Sequence, residues 1–111
     1  FLIEIDQLAT LGRFKIFVDI DETICSFSNG EYSLAEPIKN RIDEINKLYE
    51  EGNTIIYWTA RGTVTSINWF QTTQKQLEEW GCKYSELRMG KPYYDLFIDD
   101  KNINSEQFFK E

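Results

Sequence analysis

Histidine is absent from the 111-residue chain. That absence removes Ser-His-Asp and Cys-His triads, His-ligated zinc and an imidazole general base, so acid–base work falls to carboxylates, lysine, tyrosine or cysteine. The two cysteines, Cys25 and Cys82, are too few for a disulfide scaffold and lack metal-ligand spacing; they read as small buried apolar side chains. Basic residues number 12 against 19 acidic, a formal net charge of −7. A nucleic-acid partner is therefore not expected, because affinity for a phosphate backbone comes from clustered Lys and Arg releasing counterions. No apolar run approaches the ~20 residues that span a bilayer, and the first residues show no basic-then-apolar signal pattern. The expectation is a cytoplasmic protein with no membrane partner.

What is present suffices for one folded domain. A 41% hydrophobic share, with 15% aromatic residues, fills one core and argues against disorder. Residues 1–13 (FLIEIDQLATLGR) read as an N-terminal extension ahead of a single domain at 14–111. They also loosely resemble the closing residues of sugar nucleotidyltransferases, which would make them the end of an upstream domain.

The run from Phe14 to Ile20 is short, apolar and β-rich without strict alternation, as expected for a parallel strand covered on both faces. Between Ile24 and Leu34, Asn29-Gly30 is a strong type I′ turn signal, which predicts a small β-hairpin flap. Ile38, Ile42, Ile45, Leu48 and Tyr49 follow helical spacing from Pro37 to Glu51, with Gly52 as a C-terminal cap. Thr54 to Thr59 reads as a second buried strand. Ile67, Phe70, Gln74 and Leu77 mark a second covering helix between Val64 and Trp80. Ser85 to Met89 and Asp95 to Asp99 read as a third and a fourth strand, and the three tryptophans as packing residues. Alternating strands and helices point to an α/β domain, a Rossmann-like three-layer sandwich around a mainly parallel sheet.

In such sheets the chemistry gathers outside the carboxyl ends of the strands. Asp19 and Asp21 follow the first strand, Thr59 ends the second, and Asp99-Asp100 follow the last, with Lys91 close enough in the chain to return to the same edge. Two like charges ~4 Å apart repel by on the order of 4 kcal/mol at an effective dielectric near 20, so four gathered carboxylates need a cation or a proton. Mg²⁺ suits hard oxygen ligands and bridges to phosphate. Carboxylate, hydroxyl, ammonium and Mg²⁺ around one point suit a phosphoryl group.

Asp19-Ile20-Asp21-Glu22-Thr23 after a hydrophobic strand, then Thr59, Lys91 and Asp99-Asp100, resemble in order the four motifs of the haloacid dehalogenase superfamily of phosphohydrolases. With 7 Asp and 14 Ser plus Thr, chance supplies about 0.05 occurrences of D-x-D-x-[ST], and three further motifs in order sharpen the match. The resemblance implies Asp19 as nucleophile and Asp21 as general acid/base. Thr59 and Lys91 would bind and balance the phosphoryl group, and Ala60 and Arg61 would contact substrate. Mg²⁺ would be held by Asp19, the Asp21 carbonyl, Asp99 and Asp100. The short spacings from Thr23 to Thr59 and from Thr59 to Lys91 leave no room for an inserted cap domain. IYWTARG (56–62) and GKPYYDLFIDDKN (90–102) look most like small phosphatases of bacterial capsular polysaccharide biosynthesis, which implies a phosphorylated sugar or related metabolite as substrate. A homo-oligomer or an upstream domain would then shield the open site.

Other readings compete with this one. A calcium loop starting at Asp19 fails, since its sixth position is Ile24 rather than Gly and its twelfth is Gly30 rather than Glu. A phospho-receiver signalling domain uses similar residues but places its acidic pair after the first strand and its phospho-accepting Asp after a middle strand, where this chain has Thr59. A catalytically idle binding module is disfavoured because no motif position is lost. A capless protein or nucleic-acid-end phosphatase is the alternative within the enzymes. Arg61 has a structural reading as well, pairing with a carboxylate at the sheet edge.

Overall fold

The computed structural model describes residues 13–110; the expected N-terminal extension, apart from Arg13, lies outside the described residues, as does Glu111. Strands β1 (Lys15–Val18), β2 (Thr54–Trp58) and β3 (Glu86–Arg88) form one parallel sheet in the order β1-β2-β3. Parallel neighbours need a crossover. Helix α1 (Lys39–Glu50) supplies it between β1 and β2, and α2 (Phe70–Glu79) between β2 and β3. A short helix α3 (Ser105–Phe108) follows. The register sets Val18 beside Tyr57 and Tyr57 beside Leu87.

Side chains alternate along a strand, so Ile16, Val18, Ile55, Tyr57 and Leu87 share a face. That face meets Ile42, Ile45 and Leu48 of α1, Leu77 of α2, and Phe109, with Trp80 packed against the cluster. The other face carries Phe17, Trp58 and Arg88. The Phe17 and Trp58 rings meet edge to face at 5.6 Å, the Arg88 guanidinium lies 5.3 Å from the Phe17 ring centre, and Phe17 stays 44% exposed. Among the described residues both crossover helices pack on the first face, while on the second Ile56 is buried beside these rings. The apolar character of β1, read as burial on both faces, is met on this side by a stack of rings and a guanidinium.

The Asn29-Gly30 turn has positive φ at both residues (51° and 83°), and Glu31 N–H donates to the Ser28 carbonyl at 3.0 Å. The arms it joins make one antiparallel bridge, Cys25 with Pro37, and a 3₁₀ turn at Tyr32–Leu34, rather than paired strands. Helix α2 begins at Phe70, not Val64. Ser66 sits at φ 62°, outside helical space, and the Asn68 side chain accepts from the Phe70 N–H at 3.0 Å, a bond that favours a helix start over continuation backwards. Its buried face is Thr73, Gln76 and Leu77, so of the expected stripe only Leu77 is inside. Asp95 to Asp99 forms no strand: the Tyr94 and Phe97 rings pack locally at 5.2 Å, Asn102 Nδ2 donates to the Phe97 carbonyl at 3.3 Å, and Leu96 and Ile98 are exposed. An apolar run becomes a strand only when a ladder takes up its backbone groups, and here that partner is not supplied. Among the described residues no cap subdomain is inserted between Thr23 and Lys91, and no helix is long and apolar enough to cross a membrane.

Two buried asparagines tie the crossovers to the sheet. Asn53 accepts from the Phe14 N–H and donates to the Leu48 carbonyl, both at 2.8 Å. Asn46 donates to the Gly81 carbonyl at 2.8 Å and accepts from the Lys83 N–H at 2.7 Å. The Asn53→Ala variant leaves two backbone groups without these partners and is expected to lose about 1–3 kcal/mol of stability, measured by urea unfolding; an unchanged midpoint would show the clamp to be idle.

Candidate active site

The loop after β1 is wound tightly. Thr23 and Ile24 N–H both donate to the Ile20 carbonyl (3.1 and 2.9 Å), Glu22 N–H donates to the Cys25 carbonyl at 2.9 Å, and Glu22 takes up a left-handed φ of 62°. Ile20 and Ile24 are fully buried and anchor the loop from below, which leaves Asp19 and Asp21 at its rim. Thr23 Oγ1 donates to Asp19 Oδ2 at 3.2 Å. The other Asp19 oxygen lies 3.3 Å from Lys91 Nζ, with the Asp19 side chain 36% exposed and that of Lys91 15%.

Lys91 reaches this point because the backbone after β3 continues beside that after β2. Thr59 N–H donates to the Arg88 carbonyl and Lys91 N–H to the Thr59 carbonyl, each at 3.0 Å, and Thr63 Oγ1 donates to the Lys91 carbonyl at 2.8 Å. The Lys91 ammonium also lies 5.4 Å from the Tyr94 ring centre. Thr59 is buried, and its hydroxyl oxygen accepts from the Arg61 N–H at 3.1 Å. Ala60 is half-buried, and its carbonyl accepts from the Thr63 N–H at 2.9 Å.

Arg61 points inward. Its side chain has 0% exposure and grips Asp21 as a fork, Nε to Oδ2 at 2.9 Å and one terminal nitrogen to Oδ1 at 2.8 Å. The other terminal nitrogen donates to Thr73 Oγ1 at 3.1 Å and Gln76 Oε1 at 2.6 Å. The guanidinium lies 4.7 Å from the Tyr32 ring centre and 3.9 Å from Cys25 Sγ. Of its two readings from sequence, the structure shows the pairing with a sheet-edge carboxylate. Thr73, Gln76, Tyr32 and Cys25 went unnoticed in the sequence as members of this cluster. The available signal was an arginine directly after a buried strand, which demands acceptors from whatever packs over it.

Asp99 and Asp100 are exposed, and Asp100 pairs with Lys101 at 3.2 Å. Hydrogen bonding with Asp99, then with Lys101, holds the Asp100 carboxyl below its ordinary value. Among the described residues no three His, Cys, Asp or Glu side chains are gathered closely enough to hold a metal. The structure therefore brings together Asp19, Asp21, Thr59, Arg61 and Lys91, and leaves Asp99 and Asp100 outside that group. As placed, the expected donors do not fit a Mg²⁺ site.

No family model matches the chain, and no curated protein matches it. Among solved structures it is similar to a crystal structure of a target protein from Vibrio cholerae, with a TM-score of 0.78 and 24% identity over 86% of each chain. At that identity the likeness is one of fold.

Burial first, then the neighbouring Asp21 charge, pushes the Cys25 thiol up to about 12 from 9.0. The thiol therefore stays protonated at pH 8. Native protein treated with iodoacetamide at pH 8 should leave Cys25 unmodified while urea-unfolded protein is alkylated there, read by peptide mass spectrometry. Rapid native labelling would contradict the packing described around Arg61.

Proposed function

We propose that this domain is a phosphomonoester hydrolase of the haloacid dehalogenase type, a capless, Rossmann-like member acting through an aspartyl-phosphate on a phosphorylated sugar or related metabolite in the cytoplasm. The observation that carries the reading is the Asp19–Lys91 ion pair at 3.3 Å, formed at the carboxyl end of the parallel sheet by residues 72 positions apart in the chain. A nucleophilic carboxylate must be open to attack and must tolerate an incoming dianion. Asp19 is partly exposed, and Lys91 supplies the positive charge beside it.

In the first half-reaction an Asp19 oxygen attacks phosphorus, the bond from phosphorus to the substrate oxygen breaks, and Asp21 delivers a proton to that leaving oxygen. In the second, water attacks the phosphorus of the aspartyl-phosphate, Asp21 takes the water proton, and the bond to Asp19 breaks to release phosphate. Lys91 offsets the charge on the phosphoryl oxygens throughout, and by the motif resemblance the Thr59 hydroxyl donates to them. Thr23 holds the Asp19 carboxylate in place. Mg²⁺ dependence belongs to the proposal through the motif resemblance alone; of the ligands that resemblance names, Asp19, the Asp21 carbonyl, Asp99 and Asp100, the carboxylates are not gathered at one point among the described residues.

With Mg²⁺ present, 4-nitrophenyl phosphate should be turned over, and the Asp19→Asn variant should lose at least about 1,000-fold in kcat. Turnover surviving in Asp19→Asn would remove the nucleophile assignment. Chelation should abolish activity, and activity unaffected by EDTA would remove the metal. A parallel panel of sugar phosphates, nucleotides and phosphopeptides separates the metabolite reading from the protein and nucleic-acid-end alternative.

A further inference from the structure

We infer that Arg61 is a positioning residue for Asp21: it fixes the plane of the Asp21 carboxylate and leaves Oδ2 as the oxygen that transfers the proton. The inference rests on the proposed hydrolase chemistry and adds to it a residue that never meets the substrate.

A guanidinium carries five N–H donors. Here each has an acceptor within the protein: Asp21 Oδ2, Asp21 Oδ1, Thr73 Oγ1, Gln76 Oε1 and, at 3.9 Å, Cys25 Sγ. None remains for a phosphate or a sugar hydroxyl, and the side chain has no exposed surface through which to offer one. What Arg61 contributes to a reaction must therefore pass through Asp21.

The surroundings hold the fork still. Gln76 Nε2 donates to the Tyr32 carbonyl at 2.6 Å, which turns its Oε1 toward Arg61. Gly62, at φ 81°, lets the chain turn just after Arg61; a Cβ there would lie 2.1 Å from the Ile67 carbonyl oxygen. A lysine cannot reproduce this, because a point charge does not set the plane of a carboxylate as a planar fork does.

The fork also distinguishes the two Asp21 oxygens. Each carboxylate oxygen offers about two lone-pair sites. Oδ1 accepts from Arg61 and lies 3.5 Å from the Cys25 thiol, whereas among the described residues Oδ2 accepts only the Arg61 Nε–H. Oδ2 keeps a lone pair for a leaving group or a water, and the Asp21 side chain remains 24% exposed.

The test compares wild type, Arg61→Lys and Gln76→Ala on phosphate monoesters of graded leaving-group basicity, from 4-nitrophenyl to alkyl. Arg61→Lys should lower kcat on alkyl phosphates by about 10- to 100-fold, lose markedly less on 4-nitrophenyl phosphate, and change KM by less than about 3-fold. Gln76→Ala, which keeps the Arg61–Asp21 pair but loosens its support, should show the same leaving-group trend at smaller amplitude. A loss expressed in KM, or equal across all leaving groups, overturns the inference while leaving the hydrolase reading intact. An inactive wild type overturns the hydrolase reading and the positioning role together. A double-mutant cycle in urea unfolding with Asp21→Asn and Arg61→Lys reads the pair without reference to activity: non-additive midpoints are expected, and additive ones refute the coupling on which the inference stands.

Discussion

A guanidinium without exposed surface dictates much of the architecture around it. Moving an isolated charge out of water costs several kcal/mol even after relaxation, so Arg61 is tolerable inside only if every donor finds an acceptor and its charge a counter-charge. Three segments distant in sequence are committed to that end. The loop after β1 brings Asp21 and Cys25, α2 brings Thr73 and Gln76, and the turn before α1 brings the Tyr32 ring and carbonyl. The cluster joins the first strand's loop to the second crossover helix at the carboxyl edge of the sheet. Position and charge are secured by one set of contacts.

The charge balance at that edge follows. Four gathered carboxylates would demand an external cation. Among the described residues two are gathered there, each with its own protein cation: Asp19 with Lys91 at 3.3 Å and Asp21 with Arg61 at 2.8 Å. The two pairs differ in kind. The first is partly exposed and single-pronged, so solvent screens it and a phosphoryl group can compete for the ammonium. The second is a buried fork. Removing one of its partners would leave a buried charge uncompensated, the situation that makes such pairs costly to break.

Much of the architecture was legible in the sequence where periodicity and burial coincide. β1, β2 and α1 fall within a few residues of their expected bounds, because Ile42, Ile45 and Leu48 lie on one helical stripe and all three are buried. α2 was misread at its start and on its face for a related reason. Its inward residues include Thr73 and Gln76, which a hydrophobic pattern counts as outside, and they face inward because Arg61 is there to be satisfied. Asp95 to Asp99 carries a strand's composition, but composition is silent about whether a ladder partner is available. The placement of Asp19, Asp21, Thr59 and Lys91 at one edge was legible because parallel strands deliver their carboxyl ends to the same side. The partners of Arg61 were not, since hydrogen bonds between α2 and the loop after β1 leave no periodic trace.

In the proposed reaction a chain without histidine draws two functions from a single residue type, and Asp19 and Asp21 do have different surroundings. Separated by one residue, they share a strand end but not an environment. Asp19 is partly exposed, with a threonine hydroxyl on one oxygen and the Lys91 ammonium near the other. Asp21 is clamped in plane by a guanidinium that is itself immobilised. An attacking group benefits from approach and from a neighbouring cation that can follow the phosphoryl oxygens. A proton-transferring group benefits from fixed direction, since proton transfer falls off steeply with misalignment. Under the proposed hydrolase chemistry, two carboxylates given different partners would divide work that a nucleophile and an imidazole divide elsewhere, and that division would depend on Arg61 being buried.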